Sequence, residues 1–320
     1  MRVIQFTEFG SPDVLRAAEL PEPVAGQGEV VIDVSSAGIN FADAKVIDGS
    51  YLPPESLPYV PGGEVIGRDQ NGRRLLAFTK NGGGYAERAL VSQAESIEVP
   101  AGLSDAAALA LLAQGLTAWH LLRTATRLRE GESVVVHAAA GGVGSLLVQL
   151  AKHFGAGRVV AAASTSDKRD LALKLGADAA IDSDPAGYAE RVIEANLGRK
   201  ADIILDANGG KTFDSALDAL GYFGRLVHYG NASDEPFTPI DPERLGYLSA
   251  CVGGFWIRTT LALPGMFAEP LAELLSLTEK GILRPVVGGE YPLGEASTAL
   301  TDLLARRTVG KLTLRPDLRD

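Results

Sequence analysis

Cysteine is almost missing from this chain: Cys251 stands alone among 320 residues. One thiol closes no internal disulfide and builds no zinc cage by itself, so a reducing, cytoplasmic setting is expected. Positive charge is also in deficit, with 30 Lys and Arg against 40 Asp and Glu and a formal net charge of −10. Nucleic acid and anionic membrane surfaces demand clustered cations, so neither is expected as a partner. Long apolar runs are lacking too. The most apolar stretch, AAALALLAQGLTAWHLL (106–122), is interrupted by Gln114 and His120 and falls short of the roughly 20 apolar residues that a span requires. A buried helix accounts for it. The opening MRVIQFTEFG lacks the apolar core of a secretory leader and starts like a strand. These absences leave a small-molecule ligand as the expectation, in a chain long enough for two domains.

Glycine is plentiful, and its placement divides the chain. The first hundred residues set short apolar runs such as VVIDV (30–34) and RRLLAF (73–78) between turn signals, the texture of a β-rich domain. From Asp105 the spacing becomes helical. Then SVVVHA (133–138), RVVAAA (158–163), DIILDA (202–207) and GRLVHYG (224–230) follow, each nearly continuous in apolar residues, as strands buried on both faces are. Amphipathic segments of helical length lie between them, which predicts three βα units in a parallel sheet. After residue 256 a helix, MFAEPLAELLSLTEKG, leads to short strand-like runs ending in KLTLRP, expected to return to the first domain.

The barest stretch is HAAAGGVGSL (137–146), at the turn from the first of these strands into the first helix. Ala139, Gly141 and Gly144 form A-x-G-x-x-G, a dinucleotide-binding fingerprint with alanine in its first position. Gly141 allows close approach of a pyrophosphate, Gly144 allows tight helix packing, and Gly142 and Val143 open a helix whose N–H groups and dipole suit phosphate. A simple Gly/Ala turn is the alternative. At the tip of the second strand, where an NAD site places a carboxylate, stand Ser164, Thr165 and Ser166, followed by Lys168 and Arg169. Hydroxyls and cations there favour NADPH, unless the two cations are merely a solvated helix face beside Asp167 and Asp170.

The runs SAGINFADAKVIDGSY (36–51), PYVPGGEVIG (58–67), GGGYAERALV (82–91), AQGLTAWHLL (113–122), VVVHAAAGGVGSLLVQLAK (134–152) and GRLVHYGNAS (224–233) resemble, in order, the zinc-independent quinone oxidoreductase (ζ-crystallin-like) branch of the medium-chain dehydrogenase/reductase superfamily. The resemblance implies an α/β fold: a Rossmann-type doubly wound parallel sheet (118–256) plus a GroES-like β-rich catalytic domain made from 1–117 and 257–320. It implies that Asn40 and Tyr51 line the cleft near the nicotinamide with Asp43 close by. Alternative roles are a turn residue for Asn40, a loop anchor for Tyr51 and a helix-start residue for Asp43. Lys45 stands where many relatives carry tyrosine. Gln114 and Thr117 match the branch's cofactor-contacting QGLTA motif, Phe255 and Arg306 match further contacts, and so do Asn208, Gly230 and Asn231. The last three also sit at ends of parallel strands, where open α/β sheets bind ligands. As plain turn formers, Asn208 and Asn231 would need no ligand.

At the catalytic zinc positions of metal-dependent relatives, the resemblance places Asn40, Gly63 and Gln114, which is no zinc ligand set. No tyrosine has a lysine four residues later, so the acid pair of short-chain dehydrogenases is missing as well. What remains is hydride transfer to an acceptor that is already electrophilic, a quinone or an α,β-unsaturated carbonyl. The alternatives are a specialised enoyl-thioester reductase and a non-catalytic NADPH-binding sensor or structural protein. The apolar run CVGGFWI (251–257) is expected to form the last strand of the parallel sheet and the seam of a homodimer.

Overall fold

Runs of Val, Ile and Leu punctuated by Gly and Pro become strands throughout the first segment of the chain. In the computed structural model, which describes residues 1–318, these are β1 (Arg2–Gln5), β2 (Arg16–Glu19), β3 (Glu29–Ile39), β4 (Glu64–Arg68), β5 (Arg74–Thr79) and β6 (Arg88–Glu98). Helix α1 (Phe41–Ile47) fills the connection between β3 and β4. β3 pairs antiparallel with both β4 and β6, and β5 joins β4 to β6. The four strands therefore close on one another, which removes the free edges between them.

The helical stretch that follows comprises α2 (Asp105–Ala110), a π-helical turn Leu111–Gly115, α3 (Leu116–His120) and a second π-helical turn Leu121–Ala125. Ser104 caps its start, accepting the Ala107 N–H at 3.2 Å. The βα series comes next: β7 (Ser133–Val136), α4 (Gly142–His153), β8 (Arg158–Ala163), α5 (Ser166–Lys174), β9 (Ala179–Asp182), α6 (Tyr188–Ala195), β10 (Ala201–Asp206), α7 (Gly210–Ala219), β11 (Leu220–His228), α8 (Pro242–Leu248), β12 (Cys251–Gly254) and α9 (Ile257–Leu261). All pairs in this sheet are parallel, in the order β12-β11-β10-β7-β8-β9. The order reverses at β7, the doubly wound arrangement. Its central strands are sealed on both faces, with Val134, Val135, Val136, Ile203, Ile204 and Leu205 all fully buried.

The closing segment supplies α10 (Ala268–Glu279), β13 (Val287–Pro292), α11 (Ala296–Leu304) and β14 (Lys311–Arg315). β14 pairs antiparallel with β3 and parallel with β13, so this segment rejoins the first sheet. Among the described residues no helix is long and apolar enough to cross a membrane.

The chain thus divides into two units, one joining Met1–Ala113 to the segment from Leu263 onward, the other spanning Gln114–Ala262. The limits differ from the expected 117/118 and 256/257. The first falls inside the continuous helical stretch, where composition does not change; the second falls beyond the short α9, which stays with the parallel sheet. The pair β9 and α6 was not expected either. β9 is an edge strand whose AAID sequence is only half-buried, so it lacks the apolar run that betrays its neighbours.

Close packing of α4 on the sheet rests on Gly144. A Cβ there would lie 2.2 Å from the Ala138 carbonyl oxygen and 2.8 Å from Ala139 Cα, both main-chain atoms. Gly144→Ala should therefore destabilise the protein by about 1–3 kcal/mol in urea unfolding, whereas Gly102→Ala, where a Cβ meets nothing within 4 Å, should leave the midpoint nearly unchanged. Equal midpoints for the two variants would contradict this packing role.

Candidate functional site

The turn after β7 is shaped by main-chain atoms. Ala138 takes a left-handed conformation, φ 48°, and its carbonyl accepts the Gly141 N–H at 2.8 Å. Gly141 then precedes α4 as its N-cap. The first amide to enter the intrahelical ladder is that of Ser145, which donates to the Gly141 carbonyl at 2.9 Å. The amides of Gly142, Val143 and Gly144 come before it and have no place in that ladder. A Cβ on Gly142 would overlap the Gln114 side-chain amide, coming within 2.2 Å of its carbon, so the missing side chain lets Gln114 lie against the turn. Thr117 is buried on α3, which packs on α4, while Ala139 is buried and donates its N–H to Ala162 at 3.2 Å.

Next to this turn the tip of β8 carries Ser164, which is exposed, and Thr165, the N-cap of α5. Thr165 Oγ1 accepts the Lys168 N–H at 3.4 Å. Arg169 is committed elsewhere: its Nη1 donates to the Ala163 carbonyl and pairs with Asp182, both at 3.0 Å. Arg169 thus has structural partners at this tip. On the other side of β7 lie the strand ends carrying Asn208, Gly230 and Asn231. Phe255 follows β12, donates its N–H to the His228 carbonyl at 2.8 Å and stacks on His120 with ring centres 6.1 Å apart. One order of strands thus gathers the sequence-predicted cofactor residues of this unit along one end of the sheet. Arg306 belongs to the other unit, exposed at the turn after α11 with φ 56°.

Asn40 sits where β3 passes into α1, and its side chain is held from two sides. Nδ2 donates to Glu64 Oε1 at 2.7 Å, and Oδ1 accepts from Lys311 Nζ at 3.1 Å. Lys311 and Glu64 are fully buried and ion-paired. Lys311 also donates to the Ile39 carbonyl at 3.2 Å, and Glu64 Oε2 accepts the Ala113 N–H at 3.0 Å. Such a pair persists in a low-dielectric interior only with its remaining hydrogen-bonding capacity satisfied, as here. Asp43 lies beneath, its Oδ2 accepting the Asn40 N–H at 2.8 Å and the Tyr85 hydroxyl at 3.1 Å. Tyr51 is half-buried in the loop after α1, its N–H on the Lys45 carbonyl at 3.1 Å. The Lys45 ammonium pairs with Asp48 at 3.1 Å.

Glu64, Lys311 and Tyr85 were missed by sequence reasoning. The signal available was a lone charge within an otherwise apolar strand, as in EVIG and KLTL. Spacing did not connect His137, Tyr188, Asp206 and His228, which one hydrogen-bonded chain joins.

Burial, the largest influence, raises the Asp43 carboxyl to about 6, with Glu64 adding to the rise and the Asn40 N–H, Lys311 and Tyr85 opposing it. The folded state then binds this proton more tightly than the unfolded chain, whose ordinary value is 3.8. The resulting stabilisation is present below about pH 4 and is lost as pH rises to about 6. Asp43→Asn removes this titration, so over that window thermal unfolding of the variant should gain on wild type by up to about 3 kcal/mol, the equivalent of roughly two pKa units. Parallel stability profiles for the two proteins would contradict it.

Residues 26–70 match the model of the alcohol dehydrogenase GroES-like domain, and residues 142–276 match that of the zinc-binding dehydrogenase family. The donor set does not fit zinc. Of the three positions that the resemblance assigns to ligands, Gly63 has no side chain and the Asn40 amide is held by Glu64 and Lys311. Among the described residues no group of three or more His, Cys, Asp or Glu could hold a metal ion. A quinone oxidoreductase of Pseudomonas aeruginosa is 34% identical over 98% of this chain and 99% of its own length. The structure of the quinone oxidoreductase of Thermus thermophilus, solved also with NADPH, is 38% identical, covers 98% of this chain and 100% of its own, and superposes with a TM-score of 0.88. That of the Escherichia coli enzyme complexed with NADPH is 30% identical, covers 99% and 100%, and gives 0.92. Fold, motifs and full-length similarity agree: the chain belongs to the quinone oxidoreductase branch of the medium-chain dehydrogenase/reductase superfamily.

Proposed function

We propose that this protein is an NADPH-dependent, metal-independent reductase of quinones and α,β-unsaturated carbonyls. The observation that carries the reading is the contrast between two glycines of one turn. Gly144 is required by packing, where a Cβ would lie 2.2 Å from a main-chain oxygen, whereas a Cβ on Gly141 would come no nearer than 3.2 Å, to the Ala138 carbonyl oxygen, a tight contact rather than an overlap. Bareness at Gly141 serves a ligand rather than the fold, and a pyrophosphate is the ligand that a helix N-terminus with three spare amides suits. The NADPH complexes of the Thermus and Escherichia relatives support the same choice.

When bound, NADPH supplies a hydride to the acceptor. The amides of Gly142, Val143 and Gly144 hold the pyrophosphate. Ser164, Thr165 and the Lys168 ammonium hold the 2′-phosphate, while Asn208, Gly230 and Asn231 take the nicotinamide half. Asn40 orients the acceptor, and the Glu64–Lys311 pair fixes the plane of its amide. Tyr51 orients the acceptor and gives up its hydroxyl proton where an enolate must be quenched. A conjugated acceptor spreads incoming charge over its own π system, so no Lewis acid is required of the chain. Two copies pair through β12, the exposed edge of the parallel sheet; a stable monomer in light scattering at micromolar concentration would contradict the pairing.

Titrating NADPH and NADH into three proteins tests the assignment. Wild type should prefer NADPH. Gly141→Val should stay folded and lose both, because its branched side chain fills the phosphate position. Lys168→Ala should weaken NADPH by about 10- to 150-fold, the worth of one charge-assisted hydrogen bond to phosphate, with NADH nearly unchanged. Unaltered NADPH affinity in folded Gly141→Val would overturn the reading.

A further inference from the structure

Asp206 ends β10 and is fully buried, yet its carboxylate receives four donors. Oδ1 accepts from His137 Nδ1 at 2.7 Å and the Asn208 N–H at 3.1 Å. Oδ2 accepts from His228 Nδ1 at 2.9 Å and the Gly209 N–H at 3.0 Å. Burial acts to raise this carboxyl, but the bonds from His137 and His228 outweigh it and hold the group well below the usual carboxylate range. An ionised carboxylate accepts only, so both imidazoles present Nδ1–H to it. His137 Nε2 then accepts the Tyr188 hydroxyl, 2.5 Å away, whose proton is retained because burial and the Asp206 charge push its release upward.

Each donor belongs to a segment with a task at the same end of the sheet. His137 immediately precedes Ala138, whose carbonyl shapes the phosphate turn. Asn208 and Gly209 form the loop after β10, and His228 precedes the loop after β11. Those two loops are laced together: the Ala232 N–H donates to Ala207 at 3.1 Å and the Ser233 N–H to Asn208 at 2.9 Å. Gly209, with φ 74°, leaves room where a Cβ would lie 2.3 Å from Asn231 Oδ1. The rings of Phe213 and Phe237 wall in His228 edge-on, at 6.0 and 4.7 Å.

We infer that Asp206 is a positioning residue for the nicotinamide half of the dinucleotide, holding the loops 207–209 and 229–233 in register with the phosphate turn through His137, His228 and two main-chain amides. This rests on the NADPH reading above. The strand order makes the effect one-sided. β8, which carries Ser164, Thr165 and Lys168 at its tip, lies on one side of β7, and β10 and β11 lie on the other. Loss of the Asp206 carboxylate should spare the adenosine side.

Calorimetric titration with NADPH and with 2′,5′-ADP, which carries only the adenosine half, tests this on wild type, Asp206→Asn, His228→Phe and His228→Asn. Asp206→Asn should weaken NADPH by about 10- to 100-fold, as expected when charge-assisted bonds are lost, with 2′,5′-ADP affinity unchanged. His228→Phe should act in the same direction, and His228→Asn, which can again present an N–H to the carboxylate, should recover part of the loss. In the ligand-free protein, hydrogen exchange at Ala232 and Ser233 should speed up in Asp206→Asn. If that variant does not fold, the two His228 variants decide by the same criteria. Equal weakening of both ligands, or NADPH affinity equal to wild type, overturns the proposal. Wild type that binds 2′,5′-ADP and NADPH no better than unrelated nucleotides overturns instead the reading on which it rests.

Discussion

Main-chain amides can grip a diphosphate only where no side chain intervenes, and that constraint organises the parallel-sheet unit. It demands a helix N-terminus free of bulk directly after a buried strand. Three features of this chain meet it in turn: the left-handed Ala138, the open Gly141 and the tightly packed Gly144. Gly142 extends the effect by leaving room for Gln114. The same demand reaches down into the sheet, because a bare turn has no side chains of its own to fix it. Its placement falls to the strand end beneath, where His137 is anchored on Asp206.

A second constraint governs the other unit. Glu64, Asp43 and Lys311 are charged groups in a low-dielectric interior, where an unpaired charge is costly. Glu64 and Lys311 are kept there by pairing with each other, and all three by hydrogen bonds closed on Asn40, Tyr85 and main-chain groups. The residue that benefits is Asn40, whose amide is held in a defined plane by an anion at one end and a cation at the other. At a position that the resemblance assigns to a metal ligand, the chain has built a neutral, oriented hydrogen-bond donor.

Much of this was legible in the sequence, for reasons that differ by residue. The strands β7, β8 and β10 announce themselves because burial on both faces forces continuous apolar runs. The bare turn after β7 is readable because close packing at Gly142 and Gly144 excludes side chains there. Edge strand β9, half wet and short, carries no such compulsion, and the unit boundary inside a helical stretch leaves no mark on composition. Lys168 and Arg169 look alike in sequence, and the pairing of Arg169 with Asp182 shows only in the structure. Asp206 and His228, or Glu64 and Lys311, lie too far apart along the chain for spacing to reveal a contact. Their partnership is a property of strand order, which single-sequence patterns do not encode.

The central claim is hydride transfer to an electrophilic acceptor by a chain whose own residues replace a metal. Its most direct test is steady-state NADPH oxidation with 9,10-phenanthrenequinone, set beside NADP-dependent oxidation of simple alcohols, on protein of measured metal content before and after chelation. Quinone reduction at the same rate in zinc-free, chelator-treated protein, with negligible alcohol oxidation, is the expected result. Alcohol oxidation that disappears on chelation and returns with zinc would contradict the account.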